Sequence, residues 1–197
     1  GRTFNMVYMK NSEAILKNAR FFDEVQLSPE ATNIPGKRNL KIRLKEGRTG
    51  NFQFGAGFSS LERAVVFFEV SQSNFDLFKW RSPFLQGDGQ KFRLRGSLGS
   101  SSNEVVLAFE EPWLFERRLA FGFELFRRET DFNSATYNEL RTGIELYLRK
   151  RLFGLVNGQV AYRYEIVDLQ DVSPVAPTLI LEESLNSPRS VSKVTFT

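Results

Sequence analysis

Apolar and polar residues alternate one for one in about eight stretches of this chain, and Arg, Lys, Glu and Gln fill the polar positions. Successive side chains of a β-strand point to opposite faces. Over residues 91–99, Phe92, Leu94 and Leu98 therefore share one face, while Lys91, Arg93, Arg95 and Ser97 share the other. Residues 118–127 gather Leu119, Phe121, Phe123 and Leu125 in the same way, and residues 139–149 gather Leu140, Ile144, Leu146 and Leu148. Segments of about ten residues, apolar on one side and charged on the other, suit strands with lipid outside and water inside.

The pattern predicts strands over 50–59, 64–72, 91–99, 104–111, 118–128, 138–149, 156–167 and 189–197. Their connections alternate in chemistry. Residues 60–63, 100–103, 129–137 and the long, proline-bearing 168–188 are polar, whereas the intervening connections hold Phe75, Phe78, Trp80 and Phe84, then Trp113 and Phe115, then Phe153. Up-and-down strands place alternate turns at opposite ends, so one rim is aromatic and the other hydrophilic. An aromatic girdle at a membrane boundary explains this asymmetry, and a hydrophobic plug closing a small soluble barrel is the competing explanation. The charges opposite the apolar face favour the membrane. Arg93, Arg95, Glu104, Arg141, Glu145 and Arg163 are expected to face a wet lumen, because a narrow dry core would hold them only at a large desolvation cost.

The first 46 residues differ in character. Ile15, Ala19 and Phe22 recur at helical spacing, which predicts a short helix over 12–22 capped by Asn11 or Ser12. Strands over 24–29 and 39–45 follow, separated by the turn Ile34-Pro35-Gly36-Lys37. Such a unit is too small to bury a core of its own, so a further strand and helix are expected before it. Lys41, Arg43 and Lys45 alternate with apolar residues; a solvated face accounts for them better than a docking edge.

Composition narrows the chemistry. The 197 residues are 41% hydrophobic and include 20 Phe, yet the mean hydropathy is −0.31, so apolar residues are dispersed rather than gathered into helical spans. No run of about 18 apolar residues and no signal peptide is present; any export signal is expected to have been removed or to lie upstream. The absence of Cys and His excludes disulfides, thiolate ligation, His-dependent triads and ordinary zinc sites. The net charge of +4 raises nucleic acid as a partner, but the basic residues are interleaved with 23 acidic ones and form no stripe. Adjacent acids such as Glu110-Glu111 and Glu182-Glu183 point to opposite faces of a strand and make poor catalytic pairs. Neither an enzyme nor a cofactor is expected.

Three segments carry a resemblance. LKEGRTGNFQFGAGFSS at 44–60, ARFFDEV at 19–25 and FEEPWLF at 109–115 are similar to parts of the BamA-type outer-membrane protein insertase family. The first resembles the junction between the family's last POTRA domain and its first barrel strand, and covers Lys45, Glu46 and Thr49. The resemblance implies that residues 1–47 are the C-terminal part of a POTRA domain in the periplasm, and that residues 48–197 are the first half of a transmembrane β-barrel of about sixteen strands. It implies insertion of β-barrel proteins into the bacterial outer membrane. The lateral gate would be the first barrel strand: Gly50, Asn51, Phe52, Gln53, Phe54, Gly55, Ala56, Gly57 and Phe58. The implied partners are outer-membrane lipid, unfolded β-barrel clients and accessory lipoproteins bound through POTRA domains. Residues 74–90 depart from the family in being longer than its usual turn there. The glycines of 50–59 suit an edge that must part, and equally suit curvature or close packing. A polypeptide-translocating pore of two-partner-secretion type, or a passive channel, is the alternative function.

Overall fold

Strand-length runs of alternating residues, joined by short turns, leave the chain one economical arrangement: each strand pairs with the one before it. A computed structural model describes residues 4–58, 64–79, 85–131, 137–153 and 156–197, and the chain divides into two units between Thr49 and Gly50.

In the first unit, helix α1 (Met6–Asn18) begins where the Asn5 side chain accepts a hydrogen bond from the Val7 N–H at 2.8 Å. The helix thus starts and ends earlier than the expected 12–22. Asn5 is the cap instead of Asn11 or Ser12, and the Ser12 hydroxyl donates back to the Tyr8 carbonyl within the helix. Phe22 opens a strand rather than closing the helix. Strands β1 (Phe22–Ala31) and β2 (Arg38–Glu46) form an antiparallel hairpin with Val25 opposite Leu44 and Leu27 opposite Ile42. Its turn closes through the Lys37 N–H on the Ile34 carbonyl, with Gly36 at φ +75°, a conformation that favours glycine.

The second unit is one eight-stranded antiparallel sheet in sequence order: β3 (Gly50–Gly57), β4 (Val65–Phe75), β5 (Gln90–Gly99), β6 (Ser102–Glu111), β7 (Leu119–Asp131), β8 (Asn138–Phe153), β9 (Val156–Gln170) and β10 (Arg189–Phe196). All eight expected strands are present. The largest extension is in β8, which runs through Lys150 and Arg151 to Phe153 instead of stopping at 149. Charge at a strand end does not stop pairing when long side chains reach water. Phe75 and Phe153 accordingly belong to strands, not connections. The 168–188 connection is less uniformly polar than expected, for it contains a two-turn helix, α2 (Thr178–Leu185), with Leu179 and Leu185 exposed.

Register sorts every strand residue onto one of two faces. Leu94, Leu107, Leu125, Ile144 and Tyr164 follow one another across β5 to β9 on the apolar face. An aromatic row crosses that face: Phe75 stacks on Phe92 at 5.3 Å and meets Phe109 edge-on at 6.2 Å, and Phe109 stacks on Phe123 at 5.5 Å. In β7 the apolar run from Leu119 to Leu125 spans about 20 Å along the strand, and its next outward positions are Arg127 and Glu129. Charge returns to this face only near strand ends, as it must if the middle lies in hydrocarbon.

The opposite face is polar and tightly packed. On it Gly122 stands between Glu110 of β6 and Tyr147 of β8. The Tyr147 ring lies flat over Gly122, so close that a Cβ there would come within 2.3 Å of the ring's Cζ. Lying this way, its hydroxyl donates to Glu110 Oε2 at 2.6 Å, two strands distant. The missing side chain makes the bridge possible.

Two outcomes follow for the intact protein. Leu125→Arg and Leu146→Arg, both at mid-strand on the apolar face, should each destabilise the barrel by about 2–4 kcal/mol in unfolding titrations, whereas Arg141→Ser should be mild. Lipid-borne quenchers should reach labels at Leu125 and Leu146 and spare Arg141; the reverse would invert the facing. Gly122→Ala should destabilise by about 1–2 kcal/mol, the loss of a charged hydrogen bond plus steric displacement, and this penalty should vanish in a Tyr147→Ala background. Additive effects in that double-mutant cycle would disprove the coupling.

Candidate functional site

An eight-residue edge strand with three glycines is the first candidate. Among the described residues β3 pairs with β4 alone, and β10 at the other edge with β9 alone. Phe52 and Phe54, on the apolar face, are 68% and 69% exposed, and Phe58 beyond the strand end is 85% exposed. Asn51, Gln53, Gly55 and Gly57 take the polar face, while Gly50 and Ala56 share the apolar one. The glycines are not equivalent. A Cβ at Gly55 would come within 2.5 Å of the Phe67 ring, so packing explains that position. At Gly50 and Gly57 the nearest atoms would be 3.6 Å away, ordinary contact, and packing does not require glycine at either. There glycine weakens the strand by its backbone freedom.

The second candidate is the polar face, where register brings all six sequence-predicted lumen residues to one side. Arg163 Nε donates to Glu145 Oε2 at 2.7 Å and its guanidinium lies 5.2 Å from the centre of the Phe126 ring. Arg141 pairs with Glu139 and, at 3.5 Å, with Glu165. Arg128 pairs with Glu104, and Arg93 with Glu124 at 3.5 Å. Arg95 stands opposite Glu69 of β4. Sequence reasoning missed the hub of this network. Glu110, only 8% exposed, accepts from Lys91 at 2.8 Å, from Arg149 at 2.6 Å and from Tyr147. Its period-two position puts it on the charged face, but the convergence of β5 and β8 on it depends on register.

The third is the rim at the end of the sheet where the chain enters β3. Phe78, Trp113, Phe115 and Phe153 are exposed there, whereas Phe75 is 7% exposed within the aromatic row. A register shift between Gln72 and Phe75 precedes it. Trp80 and Phe84 lie outside the described residues. The long β4–β5 connection is anchored by side chains: Asn74 accepts from the Gly89 N–H, Gln90 accepts from the Leu77 N–H and donates to Glu111, and Asp76 accepts from the Phe78 and Lys79 N–H groups. Shielding from solvent pushes the Asp76 carboxyl upward, but those two N–H groups and the Lys79 ammonium outweigh it and hold the group below its ordinary value. Among the described residues no carboxylate cluster suited to a metal ion is present.

Known proteins share this arrangement. The chain is 23% identical over its full 197 residues to the outer membrane protein assembly factor BamA of Nitratidesulfovibrio vulgaris, covering 23% of that protein. It is 27% identical over 129 residues to a putative outer membrane protein assembly factor of Treponema pallidum, covering 63% of this chain and 14% of that one. The crystal structure of BamA from Haemophilus ducreyi lacking POTRA domains 1–3 superposes with a TM-score of 0.70 at 19% identity, over 95% of this chain and 36% of that one. The fold is therefore the antiparallel barrel-type sheet of that structure, and the chain spans less than a quarter of the length of these two curated relatives. The Omp85 superfamily domain matches residues 85–192, more than half of the chain, which therefore belongs to the Omp85 superfamily.

Proposed function

We propose that this chain serves the insertion of β-barrel proteins into a bacterial outer membrane, and that β3 is the strand that parts to admit them. Residues 1–47 are, in this reading, the C-terminal part of a POTRA domain on the periplasmic side, and residues 48–197 the first half of the barrel. Membership of the Omp85 superfamily makes this an outer-membrane chain, and both curated relatives carry the name of assembly factors.

The observation that carries the reading is β3 itself. It is the shortest class of strand in the sheet at 8 residues, against 16 for β8, and two of its three glycines answer to no packing need. Roughly half of an edge strand's backbone N–H and C=O groups point away from its one neighbour. In hydrocarbon each unpaired group costs several kcal/mol, so an exposed edge recruits an incoming strand by backbone hydrogen bonds with little regard to its side chains. The interior strands β4 to β9 are longer and paired on both sides, and the Glu110 network ties β5, β6 and β8 together, so they do not share this weakness. No group changes covalently, and the catalysis is a lowering of the cost of strand entry. Accessory lipoproteins would bind through the POTRA region, where the β1–β2 hairpin offers an edge.

A disulfide engineered in the full-length protein between β3 and the barrel's last strand should abolish client insertion while the barrel stays folded, and reduction should restore it. The equivalent lock between Leu94 of β5 and Leu107 of β6, an internal pair, should change insertion little. Normal insertion with the seam locked would refute lateral opening at β3 and favour passage through the lumen, as in a secretion pore.

A further inference from the structure

At the rim where β6 passes into β7 and β8 into β9, four cations collect. Arg117, Arg118, Lys150 and Arg151 line a cavity of about 370 Å³ together with Leu152 and Phe153. All six side chains are exposed. Glu116 is the acid adjoining them in sequence. The Arg118 guanidinium lies over the Trp113 ring, 5.8 Å from its centre.

Two features define what would bind. Lys150 lies opposite Leu119, at the end of the apolar belt formed by Leu119, Phe121, Leu146 and Leu148, so its ammonium sits where the hydrocarbon-facing surface stops, with the other three cations at the rim beside it. Exposed Trp113 and Phe153 flank it, the residue type that settles at the headgroup level of a bilayer. A ligand matching both features has an anionic head and apolar chains. A free inorganic anion would use only the cations, and a nucleic acid would leave the apolar belt bare. We propose that this rim cluster is a binding site for an anionic phospholipid, whose phosphate sits among Arg117, Arg118, Lys150 and Arg151 and whose acyl chains run along the apolar face of β7 and β8. The site fixes a charged lipid at the membrane leaflet next to the end where β3 begins. It rests on the membrane facing of the strands and is independent of how clients enter.

Native mass spectrometry of the full-length protein, extracted in neutral detergent and offered phosphatidylglycerol or phosphatidylcholine, tests this. Phosphatidylglycerol should be retained at least tenfold over phosphatidylcholine. Arg117→Gln/Lys150→Gln and Arg118→Gln/Arg151→Gln should each lower its retention about tenfold, on the order expected for two cations at a lipid surface. Removing Lys37, Arg38, Arg43 and Lys45, an equal or greater loss of charge in the first unit, should leave retention unchanged. Heat-modifiable migration confirms a folded barrel for each variant. Undiminished retention in both rim variants, an equal loss in the first-unit variant, or displacement of the lipid by millimolar inorganic phosphate would each overturn the proposal. Lipid retention is read without any insertion assay, so its failure leaves the seam hypothesis untouched, and a failed seam lock leaves the lipid site untouched.

Discussion

In hydrocarbon a backbone amide has no water to bond with, and the remainder of this structure follows from that constraint. A meander in which each strand pairs with its sequence neighbour satisfies both sides of β4 to β9. Among the described residues β3 and β10 have a partner on one side only. A protein built this way cannot distribute its reactivity evenly. The interior strands are held by ladders on both sides and by side-chain bridges, and whatever can open does so at an edge.

The same pairing imposes two surfaces of opposite chemistry one strand thick. The apolar one must be continuous, and it is, from the aromatic row of Phe75, Phe92, Phe109 and Phe123 to the aliphatic and tyrosyl positions of β8 and β9. The polar one must keep many charges without burying any alone. It does so by placing opposite charges on neighbouring strands, as with Arg128 and Glu104 or Arg163 and Glu145. Exposed pairs of this kind are worth about 0–1 kcal/mol each, so they organise the face more than they stabilise it. The Glu110 cluster differs, being shielded and tied across β5, β6 and β8, and Gly122 is the vacancy that lets Tyr147 span it.

How much of this was legible in the sequence depends on the range of the interaction involved. Alternation is local, so the eight strands, their faces and the side of Arg93, Arg95, Glu104, Arg141, Glu145 and Arg163 could be read directly. The cap of α1 is also local, yet Asn11 and Ser12 stand closer than Asn5 to the apolar spacing of Ile15, Ala19 and Phe22. The β9–β10 connection hid α2 behind its prolines, since Pro177 precedes the helix without interrupting it. What was not legible is whatever depends on register. Gly55, Gly50 and Gly57 look alike along the chain, and only the position of Phe67 separates the glycine that packing explains from the two that it does not. Alternation separates Glu110 from Glu111 and puts it on the charged face, but only register brings Lys91, Tyr147 and Arg149 to it.

That distinction among glycines bears on how an outer-membrane machine can be both stable and yielding. A strand weakened throughout would fray in the resting state and expose its neighbour to chance pairing. A strand stitched along its whole length would never release. In β3 the side chain that packs its middle comes from β4, where the Phe67 ring covers Gly55, while the two glycines without a packing role stand at its ends, Gly50 and Gly57. That contact belongs to the β3–β4 pair, so it holds β3 to its internal neighbour and leaves the opposite edge of β3 to backbone pairing. On the lateral-opening proposal, a strand anchored at its middle to β4 and weakened at its ends can exchange the partner on its other edge stepwise, an incoming strand pairing from one end without ever leaving a full row of backbone groups unpaired in lipid.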